Sequence, residues 1–313
     1  MSYLESNKIT REPKNLYEPI DYILKIGGKR IRPILTLIAS DIFTGDYQKA
    51  LPAALAVEVF HNFTLVHDDI MDDAPLRRGN KTVHEKWNIN TGILSGDAML
   101  ILAYQYFENY ESTVFQKLAQ LFSKTALEVC DGQQLDVDFE TRNDVTIDEY
   151  IKMITLKTSV LVAAALKMGA IVAKADEAEA QHLYNYGLNL GIAFQLQDDY
   201  LDTYGDPETF GKQVGGDIIE NKKTFLYLKA LEVANNDDKD KLSALYNEKQ
   251  KNISEKITTV SSIFSKNNIP NYTHELIEYY TNKSFESLTH LTISNKAKEG
   301  LRLFGENLMS RKV

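Results

Sequence analysis

Apolar residues recur at three- and four-residue spacing along most of the chain, the period of a helix with one buried face. The pattern predicts helices over Ile31–Phe43, Leu51–Asp72, Thr91–Tyr110, Phe115–Phe139, Ile147–Ile171 and Glu177–Tyr204. No stretch alternates apolar and polar residues long enough to predict a strand, and Asn-Gly or Asp-Gly signals between β-rich runs are absent. Ala74–Asn90, with Pro75, Gly79 and Asn80, reads as a loop holding at most a short helix. Gly205–Gly216, with Pro207 and four glycines, reads as a second irregular stretch. Beyond Leu231 the chain is richer in Lys, Asp, Asn and Ser, with amphipathic helices expected at Asp240–Asn247 and Ile253–Phe264. Asn267-Asn268-Ile269 is a break, and Pro270 opens the next helix. No Gly/Ser linker and no repeat of solenoid period divides the chain. The expectation is an all-α fold, one domain over residues 1–313, with a more surface-like carboxyl-terminal part.

A chain of 313 residues is long enough for one large core or for two ordinary domains. Its 43% hydrophobic and 25% charged residues, with only 7 Pro and 16 Gly, are those of a globular protein. The net charge of −9 argues against bulk nucleic-acid binding, which needs a basic face. An acidic chain that handles anionic substrates needs metal ions or local basic clusters to bring them in. The single cysteine, Cys130, forms no intrachain disulfide and fits a reducing, cytoplasmic setting. It lies in an apolar helical pattern and reads as a buried structural thiol. Met1 to Thr10 is polar, without the apolar core of a secretory signal. No run of about 18 apolar residues is evident, so no membrane span is expected.

Two aspartate clusters carry the chemistry. Asp68-Asp69-Ile70-Met71-Asp72-Asp73 ends the apolar run Ala53–Val66. On a helix Asp68 and Asp72 share a face, and that face extends back through Thr64 and His61. Carboxylates gathered at a helix end repel one another and oppose the negative end of the macrodipole, so a cation should offset them. The second cluster, Asp198-Asp199-Tyr200-Leu201-Asp202, follows Phe194-Gln195-Leu196-Gln197 on another apolar helix. Asp198 and Asp202 are again four apart, with Gln195 on the same face. One such cluster is as readily a solvated helix end as a metal site. Two copies of Asp-Asp-x-x-Asp on two apolar helices point to a metal. Carboxylates are hard ligands suited to Mg2+, which keeps waters and is shared with substrate phosphates. No His/Cys set has zinc spacing, and His61, His67 and His84 are too scattered to serve as metal ligands.

Basic motifs lie near both clusters. Gly27-Gly28-Lys29-Arg30-Ile31-Arg32-Pro33 opens a helix, where glycines, helix amino terminus and bases together suit an anion. Its spacing is not that of a P-loop. Arg77-Arg78-Gly79 follows the first cluster, and arginine suits bidentate phosphate binding. Lys212 lies in a glycine loop after the second cluster, with Lys222 and Lys223 beyond it. Each base alone reads equally as an exposed, solvated side chain. Their placement beside the aspartates favours the phosphate reading.

With Gly96-Asp97, Gly132-Gln133-Gln134-Leu135-Asp136, Lys157-Thr158 and Gly211-Lys212-Gln213-Val214-Gly215-Gly216-Asp217 added, these motifs stand in the order seen in one family. The sequence resembles the trans-isoprenyl diphosphate synthases, the family of farnesyl and geranylgeranyl diphosphate synthases, from Gly27 to about Lys223. The resemblance implies a helical bundle around a deep central cavity, usually in a homodimer. It implies a Mg2+-dependent prenyltransferase that joins isopentenyl diphosphate head to tail to dimethylallyl, geranyl or farnesyl diphosphate, with three Mg2+ ions at the loaded site. Asp68, Asp72 and Asp198 would bind Mg2+, supported by Asp69, Asp199 and Asp202, with Asp136 near the metals or their waters. Lys29, Arg32, His61 and Arg78 would hold the diphosphate of isopentenyl diphosphate. Arg77, Lys157, Lys212 and Lys222 would hold the allylic diphosphate, with Lys223 as a substitute for Lys222. Thr158 and Gln195 would face the developing cation. Arg311 and Lys312 read either as a closing basic tail or as solvated residues.

In that family product length depends on bulk below the first aspartate motif. Phe63 and Thr64 stand five and four residues before Asp68, about a turn below the metal face. One aromatic with a two-residue motif spacing resembles the geranylgeranyl synthases, so a twenty-carbon product is expected, with fifteen carbons as the alternative. Phe63 as plain core, with other helices forming the floor, is the competing reading. A class I terpene cyclase should carry an Asn/Ser/Glu motif in place of the second cluster. It would not need bases for a second diphosphate. An inactive regulatory subunit typically loses an aspartate motif, and a squalene-type synthase has different motifs.

Overall fold

The computed structural model describes residues 11–206, 214–247 and 252–310. Contacts within the chain group it into two compact units, one from 1–124 with 164–181, the other from 125–163 with 182–313. The first holds α1 (Lys14–Lys25), α2 (Ile31–Thr44), α3 (Leu51–Met71), the short α4 (Val83–Lys86) and α5 (Ile89–Phe107). Its apolar stripes meet in a core that includes Ile20, Leu35, Ala39, Val57, Phe60, Met99 and Phe107. Phe122 sits edge-on to Phe60, Tyr104 and Phe107, with ring centroids 4.9, 4.6 and 5.3 Å away. Helices α2 and α8 (Val160–Val172) approach closely at Gly169, where a Cβ would fall 2.2 Å from the Thr36 carbonyl oxygen.

Between α3 and α4 the expected loop contains a hairpin of two two-residue strands, too short to change the all-α class. Leu76–Arg77 pairs antiparallel with Asn80–Lys81. Its two turn residues, Arg78 and Gly79, have φ of 53° and 75°, the left-handed pair a type I′ turn requires. Arg-Gly is not the usual signature of that turn, and four paired residues leave no alternation to read.

The second unit is built on an apolar cluster that includes Phe139, Tyr150, Ile154, Leu196, Phe225, Leu228, Val260 and Phe264. It contains α7 (Ile147–Ile154), α11 (Phe225–Val233), α12 (Asn236–Asn247), α13 (Ile253–Lys266), α14 (Ile269–Thr289) and α15 (Asn295–Met309), with the four-residue α10 (Gly216–Ile219). Helices α6 (Ser112–Thr141) and α9 (Glu177–Tyr204) begin in the first unit and supply the second with its remaining long elements from residues 125 and 182 onward. Helix α7 starts at a capping box: the Thr146 hydroxyl accepts from Glu149 N–H, and the Glu149 carboxylate accepts from Thr146 N–H. Between α7 and α8, Thr155–Ser159 forms a π-turn, closed by the Val160 N–H donating to the Thr155 carbonyl. The run Ile147–Val172 is long and apolar enough to cross a membrane, but 78% of its most apolar window is buried in protein. Cys130 is exposed rather than buried, on a helix face that also exposes Leu127.

Candidate active site

In the first unit, the two aspartates at the end of α3 separate by environment. Asp69 is buried and accepts from Arg77 in a fork, with Nε 2.8 and 2.9 Å from its two oxygens and Nη2 2.6 Å from one. Asp68 is half-buried on the neighbouring face, and Asp72 is the exposed C-cap of the same helix. The structure therefore gives Asp69 the task of holding Arg77, which the hairpin aims inward.

The bases predicted for one diphosphate gather around a histidine. His61 is half-exposed by surface area at its helix position, yet its ring lies among Arg32, Arg78, Arg77 and Arg30. Burial first, and then those four guanidiniums, holds its pKa well below 6.5. Arg32 Nη1 donates to His61 Nε2 over 3.2 Å, which places the imidazole proton on Nδ1. Arg78 donates to the Gly27 carbonyl. The loop passes close to the guanidinium at Gly28, where a Cβ would lie 2.6 Å from Arg78 Nη1, and the φ of 133° there is one that favours glycine. Arg30 is paired with Glu58 and with the Leu24 carbonyl, and Glu58 also accepts from Asn62 at 2.7 Å. Lys29 lies exposed on the same loop.

Half-buried Phe63 packs against Phe60 at 5.5 Å and the His67 ring at 4.8 Å. The Thr64 hydroxyl donates to the His61 carbonyl over 2.9 Å.

In the second unit, a cleft is lined by Asp136, Tyr150, Lys157, Thr158, Gln195, Asp199, Asp217, Lys222 and Lys223, with Phe139, Met153 and Ile154 as its apolar wall. A chain of hydrogen bonds fixes its polar side. Tyr150 Oη donates to Asp199 Oδ2 over 2.6 Å, Gln195 Nε2 donates to Asp199 Oδ1 over 2.8 Å, and Thr158 Oγ1 donates to Gln195 Oε1 over 3.0 Å. Lys157 Nζ donates to Asp136. Burial pushes Asp199 up to about 7, against the two hydrogen bonds it accepts. Asp217 is also raised well above the usual carboxylate range, by burial first and then by the nearby Asp199 and Asp202. Burial alone would lower Lys222, but Asp217 and Glu220 outweigh it and hold the ammonium above its ordinary value. Lys223, pulled down by burial, lies over the rings of Tyr227 and Tyr246. Asp202 Oδ2 accepts from the Asp217 N–H at 2.9 Å, and Asp198 is half-buried one residue from Asp199.

Lys212, Arg311 and Lys312 lie outside the described residues. Tyr150 was not singled out in the sequence, and Asp217 was named there only as the end of a motif, without a role. Asp217 had a signal, an acid after two glycines beside the second cluster. Tyr150 had none, because its partner Asp199 is 49 residues away.

Among the described residues no group of three or more His, Cys, Asp or Glu side chains forms a ready cage for a metal. Each motif commits its inner carboxylate, Asp69 or Asp199, to protein hydrogen bonds. A sparse donor set of this kind suits Mg2+, which takes few carboxylates and completes its octahedron with water and phosphate.

The family model for polyprenyl synthetase matches residues 13–263. The chain belongs to the polyprenyl synthetase family. It is 40% identical over 291 residues to a geranylgeranyl diphosphate synthase of Saccharolobus solfataricus, covering 91% of this chain and 87% of that one. It is 38% identical over 301 residues to a short chain isoprenyl diphosphate synthase of Methanothermobacter thermautotrophicus, covering 96% and 91%. A crystal structure of a geranylgeranyl pyrophosphate synthase superposes with a TM-score of 0.95 at 54% identity, covering 100% of this chain and 96% of that one. A polyprenyl synthetase fold accounts for the almost wholly helical architecture, and prenyl transfer to small diphosphate substrates is the family's activity.

Proposed function

We propose that this polyprenyl synthetase is a geranylgeranyl diphosphate synthase, adding isopentenyl diphosphate to allylic diphosphates up to twenty carbons. The observation that carries the reading is the cluster of Arg32, His61 and Arg78 against the Gly27–Gly28 loop. It is a basic site beside the first aspartate motif, as a second diphosphate substrate requires and a terpene cyclase does not. Neutral His61 presents Nδ1–H as a donor, and the guanidiniums supply charge. Lys29 completes this site.

Asp68, Asp72 and Asp198 are the residues that would hold Mg2+, with Asp136 and Asp202 nearer its waters, and three ions would be bound with substrate. When bound, Mg2+ neutralises the departing diphosphate as a Lewis acid. Lys157 and Lys222, both lining the second cleft, are suited to hold the same diphosphate as direct cations. Thr158 donates its proton to Gln195, so the lone pairs of its oxygen point away from that bond. They are suited to face the allylic cation as it forms. Phe139, Met153 and Ile154 keep water from that cation. The proton lost after attack by the isopentenyl double bond goes to released diphosphate. Phe63 forms the floor that stops the growing chain.

The catalytic fold is one polyprenyl synthetase domain over residues 1–313, in a cytoplasmic homodimer. Exposed Ile93, Leu94 and Ile101 on one side of α5 give a second copy an apolar face to cover.

The test is incubation of the pure protein with Mg2+, isopentenyl diphosphate and each allylic primer in turn, with products read by mass spectrometry. Twenty-carbon diphosphate is expected. Absence of any elongated diphosphate would overturn the reading, and a fifteen-carbon end product would overturn the chain length alone.

A further inference from the structure

The π-turn Thr155–Ser159 carries the two consecutive residues that the second cleft uses, Lys157 and Thr158. A π-turn is an unfavourable insertion in a helix and persists where surroundings enforce it. Three features enforce this one. On α6, Gly132 meets the turn so closely that a Cβ would fall 2.2 Å from Lys157 N and 2.7 Å from the Leu156 carbonyl carbon. On α9, Gly191 meets its far end, where a Cβ would fall 2.8 Å from Ser159 Cα and 2.9 Å from its Cβ. Within the turn, the Ser159 hydroxyl donates to the Ile154 carbonyl five residues back, over 3.2 Å.

The two glycines also stand in the same relation to the polar contacts. Asp136, which accepts from Lys157, is four residues after Gly132 on α6. Gln195, which accepts from Thr158, is four residues after Gly191 on α9. Residues four apart lie one above the other on a helix face. Each flanking helix therefore touches the turn twice, once by backbone at a glycine and once by a side chain a turn later. Any bulk at the glycine would push that helix off the π-turn and carry the acceptor with it.

We propose that Gly132 and Gly191 are positioning residues. Together they clamp the π-turn so that the Lys157 ammonium and the Thr158 hydroxyl are held for the allylic diphosphate. This deepens the prenyltransferase reading and rests on it for the substrate, while the clamp itself is independent of it.

The test compares Gly132→Ala and Gly191→Ala with Gly300→Ala, a helical glycine with nothing within 4 Å of an added Cβ. Two quantities are read: kcat and KM for the allylic primer, and amide hydrogen exchange of residues 155–160 without substrate. The clamp variants should exchange faster at those amides and lose about a hundredfold in kcat, the scale of a 1 Å misplacement. Gly300→Ala should match the wild type in both. Wild-type exchange at 155–160 and wild-type kcat in folded clamp variants would overturn the proposal. A fall in melting temperature with kcat per folded molecule retained would reduce the glycines to plain packing and overturn it too. If neither glycine variant folds, Ser159→Ala decides, since it removes the internal hydrogen bond without adding bulk. Faster exchange with lower kcat supports the clamp, and wild-type values in both sink it. A wild type that transfers no prenyl group but shows the exchange differences would sink the functional reading and leave the clamp standing.

Discussion

His61 is kept neutral by two separate effects, loss of water around the ring and the field of Arg32, Arg78, Arg77 and Arg30. Its folded pKa therefore lies below the 6.5 of the unfolded chain. Between those two values the unfolded state binds the extra proton, so stability rises with pH across that window and is lost on acidification below about 6.5. The slope from this residue approaches about 1.4 kcal/mol per pH unit. Urea unfolding of the wild type from pH 7 to 5 should show that loss, and His61→Gln should remove this component of it. An identical pH profile in the variant would mean the ring titrates normally. His61 was legible in the sequence as a member of the polar face behind Asp68, but its neutrality was not. That property depends on arginines that the Gly28 loop and the hairpin bring in from 29 and 31 residues before it, at Arg32 and Arg30, and from 16 and 17 residues after it, at Arg77 and Arg78. Tyr150 is the converse case. A buried tyrosine in an apolar helix looks like any core aromatic until its hydroxyl is seen on Asp199.

The long helices were legible because each carries an uninterrupted apolar stripe, and Glu177–Tyr204 was found with the bounds the periodicity gave. The π-turn was not, because Thr155–Ser159 contains no Gly or Pro and one extra residue in a helical turn leaves no break in the sequence to mark it. The hairpin escaped for a different reason: its function is to turn, not to bury. Arg77 and Arg78 are adjacent yet serve opposite partners, Asp69 and the Gly27 carbonyl, and the left-handed turn is what separates them. Gly79→Ala tests that role. No atom lies within 4 Å of an added Cβ there, so the cost is conformational, from a φ of 75°. A side chain in that region costs about 1–2 kcal/mol. Relaxation of the turn should displace both arginines, raising KM for isopentenyl diphosphate with a smaller change in kcat. Steady-state kinetics with a saturating allylic primer would read this, and unchanged KM would show that the arginines hold their places without the turn.

For the whole molecule, the reading makes metal and diphosphate depend on each other. Each aspartate motif commits its inner carboxylate to the protein, Asp69 to Arg77 and Asp199 to Tyr150 and Gln195, and no described cluster offers a closed cage. A Mg2+ ion bound by so few carboxylates gains most of its remaining affinity from phosphate oxygens. A ligand that binds only the folded state stabilises it by about 2.7 kcal/mol at a hundred times its Kd. In proteins somewhat smaller than this one, 1 kcal/mol shifts the melting temperature by about 2–4 °C. Inorganic diphosphate with Mg2+ should therefore raise the melting temperature by roughly 5 °C, while either alone should do much less. Chelation with EDTA should abolish the joint effect, and so should Asp68→Asn or Asp198→Asn, each tested separately. An equal shift from diphosphate in EDTA would mean that the lysines and arginines hold the anion unaided, and that the aspartates serve some purpose other than metal binding.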